Sequence, residues 1–277
     1  MGVVGVATYI YGLTIGVGKI NVRHIDLAFD DLPIQFDGFR IAHISDLHVG
    51  TFDGWRSRIL KAEIDSILEQ NADIVCFTGD MQNMKPDEVE KMMPILKRLP
   101  YTHFVLGNHD YAQYVHKNHG IEQEIRHKLL ALEHQLGRTL CNENVMITRG
   151  ESSIWLAGEE NDGLPPFPTY CNLGKTLQGI PDSAFTILLQ HDPSAWRRSI
   201  LPNSRAQLTL SGHTHGGQMQ ILGWRPTKKQ GKEDLGLYED NGRFLYVSAG
   251  LGGFVPFRLN MPNEITVITL HKKAKRP

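Results

Sequence analysis

The sequence of 277 residues contains little cysteine and almost no net charge. Its three cysteines, Cys76, Cys141 and Cys171, lie far apart and form no CxxC pair, which argues against a disulfide scaffold and against a zinc ribbon. The formal net charge is −1, so there is no global field to attract nucleic acid or an anionic membrane. The sequence also lacks a GxSxG motif, a P-loop and the kinase motifs, so those catalytic classes are unsupported.

The N-terminal residues 1–18 contain no charged side chain. They have no basic region or cleavage site, which makes them a poor signal peptide, and their length is borderline for a membrane span. We interpret residues 1–30 as an N-terminal arm, which begins either as a strand or extended segment or as the trailing end of a membrane segment. Residues 31–271 are predicted to form one domain, and residues 272–277 a basic tail.

Apolar runs alternate with helical patterns in the first half of the chain. Strands are predicted in FRIAHIS (39–45), ADIVCFTGD (72–80) and THFVLGNHD (102–110), with helices at 55–70, 87–98 and 119–136. The second half is richer in predicted strands, with one helix starting at Asp192: SSIWLAG (152–158), AFTILLQHD (184–192), AQLTLSGHT (206–214), GQMQIL (217–222), RFLYVSAG (243–250) and EITVITL (264–270). This order favours an α/β sandwich of two sheets over a single doubly wound sheet.

Five of the predicted strands run into turns that hold Asp, Asn or His: SDLH, TGD, GNHD, QHD and GHTH. Ligand sites of α/β sheets form beyond the carboxyl ends of strands. One such turn is explained by helix capping, but five in register are not. The candidate metal ligands are therefore Asp46, His48, Asp80, Asn108, His191, His213 and His215. The members of the pairs Asp46/His48 and His213/His215 are two residues apart, so on an extended segment their side chains point to the same side.

The seven candidate ligands exceed the number that one metal ion normally takes. Imidazole, carboxylate and amide donors without thiolate suit two divalent metal ions, Mn, Fe or Zn. A pair of ions about 3.5–4 Å apart promotes in-line displacement at phosphorus, with a bridging hydroxide as the nucleophile. The expected activity is therefore hydrolysis of a phosphodiester or pyrophosphate bond.

The five motifs, in this order over residues 46–215, resemble those of the calcineurin-like metallophosphoesterases. The resemblance implies a four-layer αββα sandwich of two mixed sheets flanked by helices. It also implies that Asp46, His48 and His215 hold one metal and that Asn108, His191 and His213 hold the other, with Asp80 bridging both. His109 would be the catalytic residue, which either protonates the leaving-group oxygen or contacts the phosphate. The acidic residue that often lies three positions after the bridging Asp is Asn83 here.

A closer resemblance covers roughly residues 30–270, in GFRIAHISDLHVG, SGHTHGGQ, GLYEDNGRFLYVSAGLG and PNEITVITL. These segments are similar to the YkuE-like branch of membrane-associated bacterial phosphoesterases, which resembles hydrolases of UDP-2,3-diacylglucosamine. This resemblance implies a small phosphoester or a nucleotide-linked lipid as substrate and membrane association through an upstream segment, and otherwise a cytoplasmic protein. The absence of a basic stripe argues against long nucleic acids.

Two readings remain beside this hypothesis. A non-catalytic metal-binding scaffold with the same fold would be expected to have lost ligands, and here none is missing. A mononuclear structural metal protein would leave half of the candidate ligands without a purpose. The basic loop of Arg225, Lys228, Lys229 and Lys232 either meets a phosphate or is simply solvated.

Overall fold

Twelve strands and six α-helices lie in the described part of the chain. The computed structural model describes residues 2–111, 119–229 and 233–274. The strands are β1 (Ile20–Phe29), β2 (Phe39–Ile44), β3 (Ile74–Thr78), β4 (Thr102–Val105), β5 (Gly137–Thr139), β6 (Glu143–Arg149), β7 (Ser152–Gly158), β8 (Thr186–Leu189), β9 (Leu208–Ser211), β10 (Gly236–Asp240), β11 (Arg243–Val247) and β12 (Asn263–Lys272). The helices are α1 (Gly2–Thr14), α2 (Ser57–Glu69), α3 (Pro86–Leu96), α4 (His119–Glu133), α5 (Leu173–Thr176) and α6 (Leu201–Asn203).

The strands form two mixed sheets of six strands each. The first sheet has the order β1-β12-β2-β3-β4-β5 and the second β10-β11-β9-β8-β7-β6. In the first sheet only the β12–β2 pair is antiparallel. In the second sheet the two outer pairs are antiparallel and the three inner pairs are parallel. Strands β2, β3, β4 and β5 of the first sheet therefore bring their carboxyl ends to one edge, and β1 and β12 run the opposite way. In the second sheet β7, β8, β9 and β11 share one direction.

The two sheets pack face to face through one apolar core. Cys76 of β3 and Ile187 and Leu189 of β8 lie in this core, while Phe77 and Leu188, next to them in sequence, face outward into other clusters. Alternation of this kind follows from the period of two residues along a strand. Cys76 is fully buried, as expected of a small hydrophobic side chain.

Helices cover the outer face of each sheet. Buried side chains of α2, α3 and α4 pack on the first sheet, with Leu60, Met92 and Leu129 among them. On the second sheet, Trp196 and Ile200 of the π-helix Trp196–Ile200 pack against the outward-facing residues. The predicted αββα order of four layers is confirmed.

Two predicted elements of the second half differ in the structure. GQMQIL forms no strand, because positive φ angles at Gly217, Gln218 and Leu222 break the extended backbone. Residues His215–Gln218 form a short 3-10 helix there. The helix expected at Asp192 begins later, with Trp196, although the Asp192 carboxylate does accept a hydrogen bond from the Ser194 N–H (2.9 Å).

The N-terminal residues differ from the expected strand or extended segment. Residues 2–14 form α1, while residues 20–29 form the edge strand β1. Within residues 2–111, 119–229 and 233–274, no helix is long and apolar enough to cross a bilayer. Lys272, at the start of the predicted basic tail, ends β12, and residues 275–277 lie outside the described part.

Candidate metal centre

All seven candidate ligands lie just beyond the carboxyl ends of parallel strands. Asp46 and His48 follow β2, Asp80 follows β3 and Asn108 follows β4, while His191 follows β8, and His213 and His215 follow β9. The first four therefore come from the first sheet and the last three from the second. Because the two sheets are packed face to face, their loops meet at one end of the sandwich.

The backbone of these loops is left-handed at most of the ligand positions. Asp46, His48, Asp80, His213 and His215 all have φ between 45° and 71°. The expectation of extended Asp46/His48 and His213/His215 pairs is therefore wrong, although each pair still points to one place. Left-handed backbone disfavours residues with a Cβ and persists where the surroundings enforce it, often at functional sites.

The first group of donors contains Asp46, His48 and His215, whose donor atoms lie within 4.8 Å of one another. The His215 Nε2 atom is 3.5 Å from Asp46 Oδ1, and the rings of His48 and His215 are 5.1 Å apart. Asp46 is further held by the His213 backbone N–H, 3.0 Å from its Oδ2. These residues surround one small volume on the β2 side of the site.

The second group contains Asn108, His191 and His213. The Asn108 Oδ1 atom is 3.1 Å from His191 Nε2 and 2.8 Å from His213 Nδ1. The other ring nitrogen of His191, Nδ1, donates to the Thr78 carbonyl (2.7 Å). Such a bond orients the ring with Nε2 toward the other donors. Burial alone would lower the pKa of His191, but the Asp80 carboxylate raises it to about 10, so the ring must release a proton when Nε2 binds a cation.

Asp80 lies between the two groups. Its Oδ2 atom is 3.4 Å from His48 Nε2 and also 3.4 Å from His191 Nε2, while the His109 N–H donates to its Oδ1 (2.9 Å). Burial by itself raises the pKa of Asp80, but the neighbouring His191 and His109 outweigh burial and hold the pKa well below its usual range. The carboxylate is therefore ionised and reaches both groups.

The hydrogen bonds among these donors leave some buried atoms unsatisfied, which favours a metal site. His48 is fully buried, and neither of its ring nitrogens has a hydrogen-bond partner among the described residues. Burial lowers its pKa to about 3, so the imidazole is neutral, as a metal ligand must be. Unsatisfied buried polar atoms are rare in proteins, and cations placed among these donors would satisfy them.

His109 lies beside the cluster. Its Nδ1 atom is 2.7 Å from the backbone carbonyl of Asn83, and its ring packs edge-to-face on His48 at 4.7 Å between centroids. Asn83 thus orients His109 through its main chain. The carbonyl accepts from Nδ1–H and so fixes the tautomer of the ring. A ring nitrogen of His109 also lies within 4.8 Å of donor atoms of His48 and Asp80.

The sequence analysis missed Asp110 as an organiser of the ligand loops. Its buried carboxylate accepts hydrogen bonds from four backbone N–H groups, those of Asp80, Met81, Gln82 and Gly107. Burial and the charge of Asp80 raise the pKa of Asp110 to about 7, against the opposing effect of these N–H donors. The Asp of GNHD was the available signal, because a buried Asp after a strand often caps a loop.

Arg258 is a second residue that the sequence analysis missed. Its buried guanidinium donates to the carbonyls of Ala249, Gly250 and Gly252. Gly250 lies against Asp46 and His215, and Gly252 against the Leu47 carbonyl, in places where a Cβ would collide. Arg258 therefore stabilises the loop that backs the first group of donors.

Two phenyl rings border the centre on opposite sides. Phe254 packs on His109 at 5.2 Å between ring centroids and is 49% exposed. Phe167 packs edge-to-face on His213 at 4.7 Å. One apolar ring therefore packs on His109 and another on His213.

His43 of β2 does not join the centre. It is fully buried and hydrogen-bonded to Thr78 Oγ1 (2.8 Å). Of the basic loop, Arg225 forms two hydrogen bonds with Asp234, Lys228 and Lys229 are exposed, and Lys232 lies outside the described residues.

Comparison with known proteins gives consistent relatives. The family of calcineurin-like phosphoesterases matches residues 39–217. The chain is 31% identical to the uncharacterized metallophosphoesterase YkuE of Bacillus subtilis, over 86% of this chain and 81% of that protein. It is 28% identical to a transmembrane protein with metallophosphoesterase domain of Danio rerio, over 94% of this chain but only 60% of that protein. It is also 28% identical to the UDP-2,3-diacylglucosamine pyrophosphatase LpxG of Chlamydia trachomatis, over 86% of each chain.

Proposed function

The chain belongs to the calcineurin-like phosphoesterase family, and from this premise we propose that it cleaves a phosphodiester or pyrophosphate bond at a two-metal centre. The observation that carries the proposal is the position of Asp80, which lies 3.4 Å from a histidine of each donor group. A carboxylate shared in this way is the arrangement that two neighbouring cations require. The catalytic domain would comprise residues 31–271, with β1 as an added edge strand.

Each donor group would hold one divalent ion. Asp46, His48 and His215 would hold the first ion, and Asn108, His191 and His213 the second, with Asp80 shared between them. The donor set contains no thiolate and suits Mn, Fe or Zn. Two divalent ions would lower the pKa of water to supply a hydroxide near neutral pH and would neutralise charge on the phosphate oxygens.

His109 would act on the leaving group. The Asn83 carbonyl holds Nδ1, so a proton on Nε2 can pass to the departing oxygen as the bond to phosphorus breaks. The Asp80 carboxylate accepts a hydrogen bond from the backbone N–H of His109. This bond keeps His109 next to the proposed metal positions. General-acid assistance of this kind contributes about 10²–10⁴-fold to a rate.

A nucleotide-linked lipid precursor is the substrate class that we favour. The relative LpxG is by name a pyrophosphatase of UDP-2,3-diacylglucosamine, and it matches 86% of this chain. The exposed Phe254 beside His109 supports a substrate with an apolar part, because an apolar side chain at a site entrance favours an apolar partner. Smaller phosphodiesters remain part of the same class of reaction.

The proposal is tested with metal-stripped protein assayed before and after the addition of Mn²⁺. The substrates are bis-p-nitrophenyl phosphate, p-nitrophenyl phosphate and a UDP-linked diacyl sugar, and metal content is measured on the same samples. We expect turnover only when metal is present, with two ions bound per chain. Asp80→Asn should lose the turnover and the bound ions, because an amide is a weaker bridging ligand than a carboxylate.

His24→Ala is the matched control, since His24 is an exposed histidine of β1 away from the donors. It should keep both metal and activity. Stoichiometric binding of a single ion, or equal activity in Asp80→Asn, would show that the two-metal proposal is wrong. No turnover of any of the three substrates with two ions bound would contradict the proposed reaction.

A further inference from the structure

A cavity of about 310 Å³ opens beside the loops that carry the candidate ligands, and none of the seven ligands lines it. This volume lies at the lower end of the range in which small organic molecules bind to proteins. We call the cavity the tyrosine pocket and define it by its lining residues: Tyr111, Glu122, Gln123, Arg126, Glu160 and Tyr170.

The tyrosine pocket lies next to the second group of donors. Tyr111 ends the 3-10 helix that begins with Asn108, so the Cα atoms of these two residues are about 6 Å apart. On the other side, Phe167 packs on His213, and Tyr170 follows it three residues later in the same loop. The pocket is therefore close enough to the donors for one small molecule to reach both.

The two tyrosines form an aromatic wall that the fold holds in place. The rings of Tyr111 and Tyr170 stack at 4.5 Å between centroids, with 28° between their planes. The Tyr111 hydroxyl accepts from the Asn161 N–H (3.2 Å) and donates to Glu160 Oε1 (3.3 Å). The Tyr170 N–H donates to the Asn161 carbonyl (2.9 Å), and the Tyr170 carbonyl accepts from Asn142 Nδ2 (3.0 Å). Because Tyr170 is still 41% exposed, the wall offers a preformed surface to a ligand.

Arg126 supplies hydrogen-bond donors to the same pocket. Its Nη2 atom is 2.5 Å from Glu160 Oε1, and its other N–H groups make no hydrogen bond within residues 2–111, 119–229 and 233–274. Since Glu160 already balances its charge, the guanidinium suits a neutral carbonyl acceptor better than a second phosphate. Glu122 and Gln123 add a carboxylate and an amide, whose oxygens can accept from a ring N–H.

A nucleobase has the chemistry that this lining selects. It is flat and stacks on an aromatic side chain, and its edge carries carbonyl acceptors and N–H donors. An acyl chain would instead leave the guanidinium and the carboxylates of the pocket without partners, which costs free energy. A sugar has no flat aromatic face to stack on the wall.

We propose that the tyrosine pocket binds the nucleobase of a substrate whose phosphate lies at the metal centre. This inference rests on the proposed function and deepens it, since it assigns the residues that recognise the nucleotide part of the substrate. Binding of a nucleotide requires no hydrolysis, so the two proposals can be tested apart.

The test compares UMP with ribose 5-phosphate, which has the same phosphate and sugar but no base, by calorimetric titration of the full chain loaded with Mn²⁺. We expect UMP to bind about tenfold more tightly, since a base stacked on an aromatic ring contributes about that much. Tyr170→Leu keeps an apolar side chain but removes the ring, so it should abolish most of this preference. Its affinity for ribose 5-phosphate should not change, which also shows that the variant is folded.

Tyr101→Leu is the matched control, because Tyr101 is 64% exposed and precedes β4, at the end of that strand away from the metal centre. It should keep the full preference for UMP. Equal affinities of the wild type for UMP and ribose 5-phosphate, or an unchanged preference in Tyr170→Leu, would overturn the proposal. Hydrolysis of bis-p-nitrophenyl phosphate without any preference for UMP would refute the pocket and keep the proposed function. A preference for UMP that Tyr170→Leu abolishes, without hydrolysis of any phosphoester, would support the pocket and refute the proposed function.

Discussion

At the scale of single residues, the candidate centre depends on side chains that the backbone and neighbouring carbonyls aim. Positive φ at Asp46, His48 and Asp80 turns three donors inward from the ends of two strands. His191 and His109 each have one ring nitrogen fixed by a carbonyl, that of Thr78 and that of Asn83. These side chains are therefore oriented before the substrate binds, so binding costs little additional side-chain entropy.

We expect His109→Ala to affect poor leaving groups most. If His109 protonates the departing oxygen, its loss should slow an alkyl phosphodiester about 100-fold or more and a p-nitrophenyl diester far less, because p-nitrophenolate leaves without a proton. The measurement is kcat/KM for a series of diesters that differ in leaving-group pKa. Equal losses along the whole series would contradict the general-acid role and would indicate a contact with the phosphate.

Asp110→Asn should destabilise the loops that carry the ligands. One amide oxygen cannot accept from four N–H groups, and the new NH₂ group faces donors, so the free energy of unfolding should fall by about 2–4 kcal/mol. Urea unfolding measures this change, and metal affinity should fall with it. Asp65→Asn is the control, since Asp65 forms an exposed ion pair with Arg98 that contributes little. An unchanged urea midpoint in Asp110→Asn would refute its structural role.

At the scale of elements, the loop of residues 249–253 packs against the first donor group and supports it. It hydrogen-bonds to the β2 loop through Leu251 N–H to Ser45 O and Gly252 N–H to Asp46 O, both at 2.9 Å. Arg258 donates hydrogen bonds to the carbonyls of this loop. Burial lowers the pKa of its guanidinium to about 10. The guanidinium therefore remains charged at neutral pH. A lysine ammonium is a point charge without the planar fork of donors, so it cannot make the same hydrogen bonds.

Arg258→Lys is therefore expected to loosen this loop. A lysine lacks the planar fork that reaches several carbonyls, so we expect a loss of about 3 kcal/mol in the free energy of unfolding. Thermal unfolding of the metal-free protein gives the comparison, with Arg205→Lys, an exposed arginine, as the control. A melting temperature equal to that of the control would show that the carbonyls are satisfied without the fork.

The sequence predicted the strands and helices of the first half better than those of the second. FRIAHIS and ADIVCF are apolar runs bounded by polar turns, and the structure has β2 and β3 there. GQMQIL also contains alternating apolar residues, but left-handed backbone at Gln218 and Leu222 prevents a strand. The local sequence pattern does not predict this backbone conformation. The candidate ligands were predictable because each follows a strand, whereas Asp110 and Arg258 act through tertiary contacts that periodicity does not encode.

At the scale of the whole molecule, the candidate centre joins the two sheets. Asp46, His48, Asp80 and Asn108 come from the first sheet, and His191, His213 and His215 from the second. The sheets are otherwise joined mainly by apolar packing. Ions held between both sets of loops would add a link at the open end of the sandwich.

Metal binding should therefore stabilise the fold as a unit. A ligand at about 100 times its dissociation constant adds about 2.7 kcal/mol, which corresponds to a rise of roughly 5–10 °C in the melting temperature of a domain of this size. Calorimetry with Mn²⁺ and after chelation measures the rise, which Asp80→Asn should lack and His24→Ala should keep. A rise of equal size in Asp80→Asn would show that metal binds elsewhere.

The position of β12 has a consequence for how the protein is made. This strand, residues 263–272, lies between β1 and β2 and is parallel to β1, with Ile20 opposite Asn263. On the ribosome, β1 has no neighbour in the first sheet until nearly the whole chain has been synthesised. Contacts so distant in sequence slow folding and leave strand edges open in the meantime. The edges of β1 and β2 that β12 covers in the finished fold therefore stay open to non-native pairing until residues 263–272 have been synthesised.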